Sequence, residues 1–380
     1  MNTIVFTYRY RVKDKHAAEL ARQARAVNFV WNWCNETQRH AVKWGRKWLL
    51  AFDLHKLSTG ASKELDIHAQ TVQKVCERYA ESRQQHKRPW LRWRGKKSLG
   101  WVPFSSQAIS FRDGAFYFRR KRYDIWLSRQ LPEGFKLRGG SFTQDARGRW
   151  YINMSVDVPV EHSAGKDTIG IDLGVKTTAT CSDGEKIDPL RIYQQYEGKL
   201  AIAQRARKKK RAAAIHAKIA NIRKDYLHKR STALVSRAAA IFIGSVPPKF
   251  LASGTTAKNA HDGAAGMFKA MLAYKAIAQQ VWFEEVDEKW TSQLCSVCGE
   301  IPENSPKGEA GLGIRGWTCS CCGAEHDRDV NAARNILARG LARLEAGIST
   351  LYAGEEVKTI SLNSRAGQQS NATWNRSALS

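Results

Sequence analysis

Residues 3–12, TIVFTYRYRV, alternate apolar with polar side chains, the period-two pattern of a strand that buries one face. From Lys15 to about Lys87 the period changes. In AAELARQARAVNFVWNWCNETQRHAVKW apolar residues recur at helical spacing, and Ala26, Phe29, Val30 and Trp33 are expected to form the buried stripe of a long helix. Short β-rich runs follow between Leu99 and Pro159: AISFRDGAFYFRR, YDIWL and GSFTQDARGRWYINMSVDV, with turns at Asp113-Gly114 and Arg147-Gly148. Together with the first strand they predict a small barrel into which the helical region is inserted.

A second pattern begins after EHSAGKD. TIGIDLGVKTTATCSDGEKI reads as strand, tight turn at Gly174, strand and a turn at Asp183-Gly184. A basic helical stretch follows from about Leu190 to Ala240, containing RARKKKR, and then the apolar strand IFIGSV, the helix AAGMFKAMLAYKAIAQQ, the strand VWFEEV and the helix DRDVNAARNILARGLARLEA. Strands alternating with helices predict a partly parallel sheet covered on both faces. The tail beyond Tyr352, rich in Ser, Asn, Gly and Gln, is expected to be disordered.

At 380 residues the chain exceeds the length at which one core keeps growing, so two or more packed units are expected. Charge changes the picture more than length does. With 62 Lys+Arg against 35 Asp+Glu the formal net charge is +27, a self-repelling surplus that a polyanion would neutralise. Nucleic acid is the expected partner. The stretch RQQHKRPWLRWRGKK interleaves cations with Trp90 and Trp93, a combination suited to phosphate pairing and base stacking, although a solvated loop accounts for it equally well. There is no run of about eighteen apolar residues for a spanning helix, and the first residues lack the order of a signal peptide. No membrane partner and a cytoplasmic location, in action at the nucleoid, are expected.

Of eight cysteines, Cys34, Cys76 and Cys181 are scattered and are expected to be buried small hydrophobes. Cys295, Cys298, Cys319 and Cys322 form two C-x2-C knuckles separated by a twenty-residue loop, the spacing of a closed four-thiolate zinc site, with Cys321 left over. Four protein ligands leave no open position, so this Zn2+ would be structural. Asp172, in IGIDLG, ends an apolar strand, where an acid can bind metal or simply cap a turn. Asp327 and Asp329 open an apolar-periodic helix, where carboxylates also serve as N-caps. Separated acids, an α/β pattern, a large positive surplus and a cysteine quartet together point to Mg2+-dependent phosphodiester hydrolysis by the two-metal route.

GIDLGVKTTAT, NIRKDYLHKRSTALV, LAYKAIAQQVWFEEVDEKWTSQLCSVCG and WTCSCCGAEHDRDVNAARNIL resemble the RuvC-type nuclease half of the TnpB family, transposon-encoded relatives of type V CRISPR effectors. The resemblance covers about Ile169 to Leu337, and is looser in the amino-terminal half, where FVWNWCNETQR carries it. It implies an RNase H-like (RuvC) nuclease domain over 165–290 and 323–350, a zinc ribbon over 291–322, a wedge β-barrel over 1–14 and 99–164, and a helical recognition domain over 15–98, with 351–380 as the tail. It further implies a guide RNA, target double-stranded DNA next to a short target-adjacent motif, and Mg2+ held by Asp172 and Asp329, leaving Asp327 as the helix cap.

One position departs from the family's pattern. The second catalytic carboxylate normally ends the strand that here reads IFIG, and Gly244 stands in its place. In an RNase H-like sheet the next strand, VWFEEVDEKW, should lie beside it and could supply Glu285 or Glu288, with Glu284 behind them; Glu284 and Glu285 face opposite sides and cannot both serve. The alternative is a nuclease-dead RNA-guided DNA-binding protein, acting as a repressor or roadblock.

Overall fold

The alternation at the start of the chain becomes a ten-residue strand, β1 (Thr3–Val12), whose Tyr10 and Val12 reach the core. The computed structural model describes residues 3–159, 163–174, 177–245, 264–307 and 310–352, so the tail expected to be disordered lies outside the described residues. The chain forms two compact units, residues 1–162 with 192–224 and residues 163–191 with 225 onward. The segment 165–290, expected to belong wholly to one domain, is therefore divided, because 192–224 cluster with the first unit.

In the first unit β1 is followed by α1 (Ala17–Lys43), α2 (Ala51–Leu57), α3 (Ala61–Glu64) and α4 (Ala69–His86), then β2 (Trp101–Ser105), β3 (Ile109–Arg112), β4 (Ala115–Phe118), β5 (Lys121–Trp126), β6 (Lys136–Gln144) and β7 (Trp150–Pro159). The seven strands form one sheet in the order β2-β6-β7-β1-β5-β4-β3. Its two ends meet through side chains: Phe104 on β2 lies 5.8 Å from Phe118 on β4, and Tyr123 on β5 lies 5.1 Å from Phe142 on β6. The sheet therefore curls around an aromatic core, while no ladder joins β2 to β3 among the described residues.

The buried face of α1 differs from the expected stripe. Val30 is buried as expected, but its buried companions are Leu20, Ala24, Val27 and Cys34, whereas Phe29 is 60% exposed and Ala26 and Trp33 are only partly buried against the core. Hydrophobicity alone set the wrong phase because the buried face also carries Gln23, Asn35 and Gln38. Each is tolerated there through a hydrogen bond, as buried polar groups require: Gln23 donates to the Tyr123 hydroxyl (3.1 Å), Asn35 accepts from the Tyr79 hydroxyl (2.9 Å), and Gln38 accepts from the buried Arg83. Cys34 and Cys76 are fully buried between α1 and α4, their sulfurs 3.7 Å apart.

The remaining elements are β8 (Asp167–Leu173), β9 (Ala179–Cys181), β10 (Lys186–Ile187), α5 (Ile192–Arg205), α6 (Lys209–Arg237), β11 (Ala238–Gly244), α7 (Ala265–Ala278), β12 (Trp282–Val286), β13 (Gly316–Thr318), β14 (Glu325–Asp327) and α8 (Arg328–Tyr352). In the second unit five of these strands form a sheet in the order β10-β9-β8-β11-β12. β8, β11 and β12 run parallel and β9 antiparallel, so β12 lies beside β11 as expected. Residue parity then assigns the two faces. Ile169, Ile171, Ile241 and Ile243 pack with Phe268 and Leu272 of α7, while Ala240, Phe242 and Val286 pack with Ile336 of α8. Among the described residues no helix is long and apolar enough to cross a membrane.

α8 lies unusually close to the sheet because Gly170 has no side chain. A Cβ there would stand 2.8 Å from both the backbone nitrogen and the Cβ of Leu337, and would overlap the carbonyl of Ala333. These are fixed atoms of a packed helix, so Gly170→Ala is expected to destabilise the second unit by about 1–3 kcal/mol, the range for overpacking. Gly198→Ala in α5 is the control, since a Cβ there meets nothing within 4 Å and helix propensity favours alanine by up to about 1 kcal/mol. Denaturant midpoints that move the same way in both variants would contradict this account of the close approach.

Candidate active site

Because β8, β11 and β12 are parallel, their carboxyl-terminal ends share one edge of the sheet, where open α/β sheets characteristically place their sites. Asp172 lies two residues after Gly170 and so shares the α8 face. Gly244 ends β11 on the same face, with Ile336 of α8 3.5 Å from where its Cβ would be. Asp329 stands in the first turn of α8, beside them.

The three glutamates of the β12 segment go to three different places. Glu284 turns to α8 and pairs with Arg343 (2.9 Å). Glu285 turns to the opposite face and pairs with Lys269 of α7 (2.7 Å). Glu288, two residues beyond the end of β12, folds its carboxylate back over Gly244. A Cβ on Gly244 would lie 3.0 Å from the Cδ of Glu288 and would overlap its Oε2, an atom that is itself buried. The missing side chain of β11 is thus filled by a carboxylate from the neighbouring segment.

Electrostatics links the acids. Burial, then the charges of Glu288 and Asp329, push the Asp172 carboxyl well above the usual carboxylate range; Arg328 and Arg315 pull weakly the other way. A carboxylate held among like charges gains from any cation that joins it. Asp329 is held by both oxygens, accepting from Arg315 at 2.9 and 2.7 Å. Asp327 takes the expected capping role: its Oδ1 accepts from the backbone N–H groups of Asp329 and Val330, both at 3.1 Å, and its Oδ2 pairs with Lys186 (2.6 Å).

The cysteine quartet sits at the other end of the same segment. The donor sulfurs of Cys295, Cys298, Cys319 and Cys322 lie within 4.8 Å of one another, with Cys295 to Cys322 at 3.7 Å and Cys298 to Cys319 at 3.8 Å. A tetrahedron with metal–sulfur bonds of about 2.3 Å has edges of about 3.8 Å, so the quartet has the dimensions of a closed zinc site. His326, its ring tilted against that of Trp317, places Nε2 3.0 Å from the sulfur of Cys295, and Cys321 is exposed to solvent. Among the described residues this quartet is the one group whose donor atoms come that close; the three acids are not so tightly gathered.

A family model described as OrfB_IS605, "probable transposase", matches residues 151–247, and a Cas12f1-like TNB domain model matches residues 266–336. A Streptomyces pristinaespiralis protein named a candidate RNA-guided DNA endonuclease is 32% identical over 90% of this chain and 90% of its own. The chain belongs to the TnpB family. Two further relatives match over about half of the chain. An Escherichia coli K12 protein, InsQ, also named a candidate RNA-guided DNA endonuclease, is 31% identical over 53% of this chain and 56% of its own. The Cas12f1 endodeoxyribonuclease of Sulfoacidibacillus thermotolerans is 26% identical over 53% of each. A chain in the cryo-EM structure of a Cas12f1–sgRNA–target DNA complex has the same fold, with a TM-score of 0.61 at 14% identity over 89% of this chain and 99% of that one.

In this TnpB-family chain the transposase match contains Asp172 and Gly244, and the TNB match contains Glu288, the cysteines and Asp329. Three residues at the site were not singled out from sequence. Arg315 was hidden in the loop between the knuckles. Asn331 and Asn335, one turn apart on α8 and both buried, donate to the carbonyls of Thr291 and Leu294, and Asn331 also accepts from the Ser296 N–H (2.9 Å). They fasten the chain between Glu288 and Cys295 to α8. Two buried asparagines at helical spacing were the available signal.

Proposed function

We propose that this chain is an RNA-guided DNA endonuclease of RuvC type, with Asp172, Glu288 and Asp329 as its metal-binding carboxylates. The carboxylate of Glu288 lying in the space left by Gly244 is the observation that carries the reading. It supplies a third acid on the face and edge where Asp172 and Asp329 already stand. The five-stranded sheet with its antiparallel β9 is then the RNase H-like core, the curled sheet of the first unit the wedge, and α1 to α4 the recognition domain. The net charge of +27 suits a guide RNA and target double-stranded DNA, both held through their backbones.

The acids fit divalent cations, since oxygen donors crowded with like charge favour a hard ion such as Mg2+. Bound there, Mg2+ would polarise the scissile phosphate and activate a water. The residues prepare that chemistry. Asp172 is set in place by a central strand, Glu288 is seated against β11, and α8 directs Asp329 from its first turn. Arg315 balances the charge of Asp329, and a cation at the site would compete with it for that carboxylate. Purified protein carrying its guide should cut a guide-matched plasmid in Mg2+, spare an unmatched one and stop when the metal is chelated. Guide-dependent binding with no cutting would instead establish the nuclease-dead alternative.

The quartet is proposed to hold one structural Zn2+ per chain. Metal analysis should return about one zinc, and its removal should unfold the segment from Cys295 to Cys322, because four unbridged thiols cannot hold a loop with so small an apolar core. A zinc content far below one in active protein would overturn this assignment.

A further inference from the structure

The basic, tryptophan-bearing stretch that could have been a solvated loop is instead hydrogen-bonded along α1. Asn35 accepts from the Leu91 N–H and donates to the Leu91 carbonyl, both at 2.8 Å; Asn32 does the same with Arg94, again at 2.8 Å on each side. Between these two brackets the Trp31 indole donates to the Arg92 carbonyl (3.2 Å). Arg94 turns inward, donating to Asn28 (2.6 Å) and to the Leu99 carbonyl (2.9 Å), with its guanidinium near the rings of Trp31 and Trp101. Asn28, Asn32 and Asn35 are spaced four and three residues apart, one face of a helix. Asn32 and Asn35 hold the strap as a neighbouring strand would, through both backbone groups of Arg94 and Leu91, while Asn28 holds the Arg94 side chain.

Fixing the backbone this way leaves other side chains outside. Trp90 and Trp93 are 46% and 44% exposed, Arg88 and Arg92 are exposed beside them, and Arg39 of α1 stands 5.9 Å over the Trp93 ring. Residues 88–93 line a shallow depression, and no acid occurs anywhere from Arg83 to Lys97. Exposed indole faces set among guanidinium groups match an unstacked base flanked by phosphates. A duplex keeps its bases stacked inside and cannot offer them to two flat rings.

We infer that the strap from Arg88 to Trp93 is a stacking platform for an unpaired segment of the guide RNA, with Asn32 and Asn35 as its positioning residues. The guide is chosen over the displaced DNA strand because it is the strand an RNA-guided nuclease carries throughout, bound before any DNA strand is displaced. This inference rests on the RNA-guided reading above.

The test uses a labelled transcript of the RNA that copurifies with the unmodified protein. Trp90→Ala with Trp93→Ala, both surface changes, should weaken its binding at least about tenfold, as expected for two lost stacking contacts. Trp90→Phe with Trp93→Phe should restore most of the affinity, because a ring remains. The salt dependence of binding should be unchanged in the Trp variants and shallower by about one phosphate contact per residue in Arg88→Ala with Arg92→Ala. Equal guide affinity in the double-alanine variant overturns the assignment, whether or not its affinity for single-stranded DNA falls. Unmodified protein that retains no RNA overturns the guided reading itself, a different result from a platform that simply does not matter.

Discussion

Glu288→Ala should slow guide-directed cleavage at least ~100-fold, the scale of losing a group that positions a catalytic metal, while guide-dependent target binding stays within about twofold. The reason is positional. Three glutamates lie within five residues, yet only Glu288 brings its carboxylate over Gly244 on the face that Asp172 and Asp329 share. Glu285 is half exposed and committed to Lys269 on the other face, and a solvent-screened pair of that kind contributes at most about 1 kcal/mol. Glu284 is committed to Arg343 farther along α8. Single-turnover cleavage by Glu284→Ala and Glu285→Ala should therefore stay near the unmodified rate. If either of these stops cutting while Glu288→Ala does not, the wrong glutamate has been assigned.

Gly244→Ala should cost at least ~10-fold in cleavage with little change in thermal stability. An extended residue at a strand's end loses nothing by gaining a Cβ, and the atom in its way is the far end of a flexible glutamate, which can swing aside cheaply. The fold survives; the carboxylate is expelled. Placing the acid back on β11, with Gly244→Glu in the Glu288→Ala background, should recover part of the lost rate, because the two positions deliver a carboxylate to one place. Full activity in Gly244→Ala would show that the space above Gly244 has no part in catalysis.

Much of this architecture was legible in the chain. Apolar alternation gave β1, C-x2-C spacing gave the quartet, strand–helix alternation gave a partly parallel sheet, and the place of β12 beside β11 came from the RNase H-like resemblance. The choice among Glu284, Glu285 and Glu288 was not legible, since Glu288 lies past the strand's end, where period-two parity no longer applies. Long-range partnerships were equally hidden: Arg315 meets Asp329 only because β13 and β14 pair and bring residues 315 and 328 together. The phase of α1 was misjudged for a related reason, because Gln23, Asn35 and Gln38 look solvent-facing until their buried partners are known. The same blindness concealed the asparagine brackets, which turn a stretch that reads as loop into a fixed surface.

The most direct measurement is a structure of the guide-loaded, target-bound protein with Mn2+ in place of Mg2+, so that the ion identifies itself by its anomalous signal. The account predicts an ion contacting carboxylate oxygens of both Asp172 and Glu288 at about 2.0–2.2 Å, with Gly244 beneath the Glu288 carboxylate. An ion bound by Asp172 and Asp329 with Glu288 turned away, or no ion at this edge of the sheet, would contradict it.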